Sequence, residues 1–138
     1  PVAPIEELMT VGTLRALTQA QVDEGDGAAA RRTLERIDGI LAAHPRRPTA
    51  CVQLATPELY RSMAAAEVSR IESPDVDAWA YIESHAIWAH WELYAAARKA
   101  EAMQQVGNPD AGTALASAKE RARGLSSGWI AGLLDDLD

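Results

Sequence analysis

The densest helical patterning lies between Asp77 and Gly107, DAWAYIESHAIWAHWELYAAARKAEAMQQVG, which holds three of the chain's four tryptophans. Trp79, Ile82, Ala86 and Ala89 recur at three- and four-residue spacing, while Ala78, Tyr81, His85 and Trp88 trace a second stripe along the same segment. A helix apolar on two sides is one packed between neighbours, so the pattern predicts a sandwiched helix running to His90. It restarts as Leu93, Ala96, Ala97, Ala100 and Met103, now one-sided, with Glu92, Arg98, Lys99, Glu101 and Gln104 left largely for solvent. The rest of the chain is expected to pack around this pair.

Upstream, Ile5, Leu8, Met9, Leu14 and Leu17 mark a first helix from about Pro4 to Glu24, closed by the turn Gly25-Asp26-Gly27. Ala30, Leu34, Ile37 and Leu41 then form one stripe of a second helix with Arg31, Arg32, Glu35, Arg36 and Asp38 between them. So short a connection makes Ile5 to Ala43 an antiparallel hairpin. Residues 44–57 read as a loop with a short helical turn, or as a helix from Thr49 kinked at Pro57. Leu59, Met63 and Ala66 beside Tyr60, Ala64, Glu67 and Ile71 predict a third helix ending near Glu72. Ala111, Ala114, Leu115, Ala118 and Ala122 predict a sixth between Pro109 and Leu125, and Trp129, Ile130, Leu133, Leu134 and Leu137 a short last helix capping the stack.

Helix starts carry their own signature. Ala3-Pro4, Thr56-Pro57, Ser73-Pro74 and Asn108-Pro109 each place proline where a first helical turn tolerates its missing N–H, and acidic residues follow each. No sustained alternation signals a strand. The expected fold is therefore all-α, about seven helices in one domain over residues 1–138. Residues 25–41 and 107–122 share a Gly-Asp or Gly-Asn turn, then alanines, then an apolar stripe, with a one-residue deletion aligning Leu34 with Leu115. Two such hairpins about 82 positions apart point to stacked helical repeats.

Gly25, Asp26, Ala30, Leu34 and Ile37 resemble the turn and second helix of a tetratricopeptide repeat. From Leu59 onward, Tyr60, Ala66-Glu67, Arg70, Ala78-Trp79, Ala86, Trp88, Tyr94, Ala97-Arg98, Ala100-Glu101-Ala102, Gly107-Asn108, Leu115, Ala118, Ala122 and Leu125 look like the C-terminal helical repeats of large ATP-binding LuxR-type transcriptional regulators. The sequence departs from that pattern at Ala89-His90-Trp91-Glu92 and at Ser126-Ser127-Gly128. The resemblance implies hairpins stacked as a tetratricopeptide-like right-handed solenoid, and a repeat arm of a cytoplasmic regulator whose nucleotide-binding and helix-turn-helix parts lie in other segments. The opening proline, and Asp135, Asp136 and Asp138 at a helix C-terminus, fit a chain cut from a longer one.

Charge narrows the partners. Thirteen basic against twenty acidic residues give a formal charge of −7, and an acidic chain is repelled by phosphate backbones unless its cations gather on one face. The densest cluster, Arg31, Arg32, Arg36, Arg46 and Arg47, reads as a solvated helix face. Cys51, the single cysteine, permits no internal disulfide. No run of about 18 uncharged apolar residues is present for a membrane span.

Candidate chemistry is thin. His85 and His90 lie five residues apart, about 500° around a helix, so they do not share a face as a zinc helix requires; each is expected as a partly buried, hydrogen-bonded histidine, although Glu83, His85 and Glu92 can meet from neighbouring helices. Gly25-Asp26-Gly27 lacks the context of a dinucleotide fingerprint, and Asp23 to Gly27 that of a calcium loop. Glu67 with Arg70 and Arg98 with Glu101, three apart, read as helix-surface pairs. The expected function is non-catalytic, without metal or cofactor. It is a sensor or interaction surface for a protein partner, another domain of the chain or a small-molecule signal, with His85, Trp88, His90 and Trp91 as its candidate residues. The alternative is a helical small-molecule protein or enzyme with those four lining a pocket. Given its charge, the chain should not bind duplex DNA sequence-selectively; a gel shift at submicromolar concentration and physiological salt would contradict this.

Overall fold

In a computed structural model the described residues, 2–45 and 56–138, form seven α-helices and no strand. They are α1 (Val2–Asp23), α2 (Gly27–Ala43), α3 (Pro57–Glu72), α4 (Val76–His85), α5 (Ala89–Gln105), α6 (Ala111–Leu125) and α7 (Gly128–Asp135). Side chains are described from Glu6 onward, so Ile5 lies outside the described side chains, as do Arg46, Arg47, Cys51 and most of the 44–57 stretch outside the described residues. The helices group into two compact units, Pro1–Ser73 and Pro74–Asp138.

The two turns that the sequence aligns have one geometry. At the end of α1, Gly25 takes φ 80°, its N–H donates to the Val22 carbonyl and the Asp26 N–H donates to the Gln21 carbonyl, both at 2.9 Å. At the end of α5, Gly107 takes φ 70°, its N–H donates to the Gln104 carbonyl at 3.1 Å and the Asn108 N–H to the Met103 carbonyl at 2.9 Å. Both are Schellman closures, in which only glycine adopts the left-handed residue without a β-carbon penalty. Asp26 then caps α2 by accepting from the Ala29 N–H at 3.0 Å.

In the first unit α1 packs on α2 and α3. Its buried face is Leu8, Val11, Leu14, Thr18 and Val22, not the expected stripe through Met9 and Leu17, which are 48% and 43% exposed. At 100° per residue the buried set centres about 160° from Met9, and Thr18, polar in sequence, joins it by donating its hydroxyl to the Leu14 carbonyl at 2.9 Å. Gly12 admits the Tyr60 ring, which lies 3.3 Å from where a β-carbon would stand. Arg61 of α3 forks onto Asp38 of α2 at 2.8 and 3.3 Å, and Arg31 pairs with Glu72 at the opposite end, so α2 and α3 run antiparallel.

Glu67 corrects the surface-pair reading: it is 2% exposed, and Arg70 bridges it to Asp23 of α1, 2.7 Å from each carboxylate. A carboxylate persists at such depth only because a guanidinium and hydrogen bonds come with it.

In the second unit the sandwiched helix is α5, not the segment before it. Leu93 through Arg98 are buried without interruption, with Ala100, Ala102 and Met103 beyond, because α4, α6 and α7 all lie against this helix. α4 buries only Trp79 and Ile82, and Tyr81 and His85 of the expected second stripe are exposed. Trp79 meets Tyr94 edge to face, centroids 5.8 Å apart. The expected helix to His90 is broken at Ala86 to Trp88, whose backbone is extended at both ends, although neither glycine nor proline marks the place.

Proline signatures hold in part. Pro57 opens α3 with Thr56 accepting from the Leu59 N–H at 3.2 Å. The caps of α4 and α6 are Asp75 and Asp110, each two residues beyond the Ser73 and Asn108 expected from Ser73-Pro74 and Asn108-Pro109, and Ser73 instead ends α3. Asp75 is the better cap because its carboxylate reaches the Ala78 N–H at 2.9 Å. Trp79, 2% exposed, should lose about 3–5 kcal/mol on truncation to alanine, and exposed His90 under about 1 kcal/mol; urea unfolding of the two variants checks the contrast.

Candidate functional site

Where α4 gives way to α5 the chain turns without a capping side chain. Ala86 closes α4 by donating its N–H to the Ile82 carbonyl at 2.8 Å, and Trp88 occupies the N-cap of α5 with no side-chain hydrogen bond to the free amides. The connection thus carries large apolar groups where a turn ordinarily carries polar ones. Ile87 is 69% exposed, Trp88 44% and Tyr81 45%. Trp91, half-buried, sits with its ring 6.4 Å from that of Trp88, the planes tilted by 37°.

His85 lies flat on Tyr81, centroids 4.0 Å apart, with Nδ1 2.8 Å from the Tyr81 carbonyl oxygen and 3.0 Å from Ser84 Oγ. A carbonyl oxygen only accepts, so Nδ1 is the ring nitrogen that donates there. Ser84 also donates to the Tyr81 carbonyl, at 3.0 Å, which leaves its hydroxyl tied to the helix and without a base. His90 is exposed in the first turn of α5. Both histidines are therefore more open than the partly buried state expected of them.

Charged side chains brace the corner. Arg121 of α6 donates to Glu83 of α4 at 3.0 Å and to Glu92 of α5 at 2.8 Å, and Lys99 of α5 pairs with the second oxygen of Glu83. This brace takes Glu83 and Glu92 away from any meeting with His85, and among the described residues no three His, Cys, Asp or Glu side chains converge as a metal site needs. Arg121 had no signal in the sequence, because its partners are far along the chain and only the antiparallel course of α5 and α6 brings them together. Nearby, Arg98 is buried rather than at the surface: its Nε donates to the Tyr94 hydroxyl at 3.1 Å, its guanidinium lies 5.2 Å from that ring's centroid and Glu101 accepts at 2.9 Å.

His85, Trp88, His90 and Trp91 line neither of two clefts in the second unit. One, of about 370 Å³, opens between Val76, Lys99, Met103, Asp110, Thr113 and Ser117. The other, of about 320 Å³, lies between α6 and α7. The corner is an open surface suited to stacking and apolar contact, the work of aromatic interface residues.

The fold defines an all-α protein whose helices pack against one another. Compared with protein-family models, with curated proteins and with solved structures, the chain matches none. Since Ile87 is largely exposed and Trp88 nearly half so, Trp88→Ala and Ile87→Ser should each change stability by less than about 1 kcal/mol, so that any larger effect of these variants on binding reads the surface itself; chemical denaturation checks the first half of this.

Proposed function

We propose that the chain is a non-catalytic helical-repeat module that binds a protein partner through the corner formed by Ile87, Trp88 and Trp91. The observation that carries it is the pair of hairpins, α1–α2 and α5–α6, closed by the same hydrogen-bonded glycine turn, since recurrence of one supersecondary unit is how repeat scaffolds are built. On this reading the hairpins stack as a tetratricopeptide-like right-handed solenoid. The further role, as the sensing arm of a cytoplasmic LuxR-type transcriptional regulator, rests on the sequence resemblance alone.

The alternative, a helical domain that takes a small-molecule signal, finds beside Lys99 and Asp110 only a wide-open cleft of about 370 Å³, lined by none of the four aromatic and histidine residues, where a pocket that encloses its ligand would be needed.

A photoreactive phenylalanine at position 88, in the protein expressed in its own cells, should give a dominant adduct with one identifiable protein, and the same group at exposed Ala116 should not. That protein, purified, should bind the chain and lose at least about tenfold in affinity with Trp88→Ala, which is the loss of about 1.4 kcal/mol expected of a central aromatic contact. Equal capture at both positions, or an affinity indifferent to Trp88, rejects the corner as the interface.

A further inference from the structure

Helix α7 occupies a groove that it fills only in part. It has eight residues, fewer than an isolated helix needs to hold itself in water, and it fully buries only Ile130 and Leu134, against α5 and α6. Its start is unassisted. Ser127 stands at the N-cap without a side-chain hydrogen bond, and Ser126 before it has φ 51°, the one non-glycine residue with positive φ among those described. A β-carbon is crowded in that conformation, so the hinge stores strain that opening releases.

The other end is unfavourable too. Asp135, Asp136 and Asp138 gather at the negative pole of the helix, and its last turn holds no basic residue. What retains α7 is modest: Gln104 Nε2 donates to the Leu137 carbonyl at 2.9 Å, Lys119 pairs with Asp138, and Trp129, 60% exposed, stacks on Tyr94 at 5.2 Å. Beside it the groove continues as the cleft of about 320 Å³, floored by Ala122, Ala131 and Leu134 and edged by Lys119 and Arg123.

From these features we infer that α7 is a displaceable occupant and that the α5–α6 groove is a docking site for an amphipathic helix of a protein partner. The present occupant specifies the chemistry of that helix: an aliphatic pair at i and i+4, as in Ile130 and Leu134, followed by an acidic residue that pairs with Lys119 as Asp138 does, Arg123 being paired with Glu120 of its own helix. The cleft runs alongside α7, with Gly128 and Ala131 on its wall, so a partner helix carrying larger side chains at those two positions would fill space that α7 leaves open. Opening of α7 and capture of the partner are then one linked equilibrium, in which the affinity observed is the intrinsic affinity multiplied by the fraction of chains with the groove open. The site is separate from the aromatic corner and does not depend on it.

The probe is a fluorescein-labelled peptide of residues 128–138, titrated against the full chain by fluorescence anisotropy. Leu134→Asp should eject α7, and Ser126→Gly with Ser127→Asp should hold it, by relaxing the hinge and capping the helix. The peptide is expected to bind the Leu134→Asp chain at least about tenfold more tightly than the wild type, and the capped chain more weakly than the wild type. Equal affinities in the three chains overturn the inference, as does failure of a still-helical Leu134→Asp chain to bind. Should Leu134→Asp unfold, hydrogen exchange of the wild type decides: amides of residues 130–135 should exchange at least about tenfold faster than those of residues 95–102, and slow down in the capped chain. Equal protection in the two stretches overturns displacement. Wild-type chains that exchange α7 and dimerise at micromolar concentration overturn the assignment to a separate partner.

Discussion

Small side chains on α5 set what the second unit can be. Between Leu93 and Met103 the helix offers alanine at positions 95, 96, 97, 100 and 102, all buried, and a surface this smooth lets other helices approach on several sides at short interaxial distance. Larger residues there would hold the neighbours apart and favour one of them. The bulky groups that complete the core come instead from those neighbours: Trp79 and Ile82 from α4, Leu115 from α6, Ile130 and Leu134 from α7. Tyr94 is the one large aromatic that α5 buries, and it organises Trp79, Arg98 and Trp129 around its edges and faces.

That arrangement explains where the sequence misleads. Helix number, order and approximate bounds are legible, because apolar spacing, glycine turns and the cap at Thr56 are local signals. Which helix is enclosed is not legible: alanine is neutral in an apolar pattern, so α5 reads as one-sided, while the aromatic run through Tyr81, His85 and Trp88 reads as a second buried face. The break at Ala86 to Trp88 holds neither glycine nor proline and so has no punctuation of its own. The four residues singled out from sequence do lie near one corner, but as an open surface, and the brace through Arg121 arises only when α4, α5 and α6 are side by side.

Depth changes the meaning of a familiar charge pattern. Glu67 and Arg70 stand three apart on α3, as do Arg98 and Glu101 on α5, and on an open helix face such pairs contribute a few tenths of a kcal/mol. Here Glu67 and Arg98 are enclosed: Arg70 bridges Glu67 to Asp23 of another helix, and Arg98 donates to Tyr94 as well as to Glu101. Removing one member of an enclosed pair leaves the other desolvated and unmatched, which is far more disruptive than losing a surface pair. Spacing alone does not distinguish the two situations; the long-range course of the chain does.

The aromatic residues are unevenly shared, with a spectroscopic consequence. The chain has four tryptophans, three tyrosines and no phenylalanine, and all four tryptophans fall within Pro74–Asp138. Tyr60 is the sole aromatic chromophore of the first unit. Excitation near the red edge of tryptophan absorption therefore reports on one half of the molecule, from the enclosed indole of Trp79 to the solvent-facing one of Trp129, and is blind to the other. Far-ultraviolet dichroism weighs both halves by their helix content. Divergence between the two signals in a single titration would reveal that the halves lose their structure separately, with no label introduced.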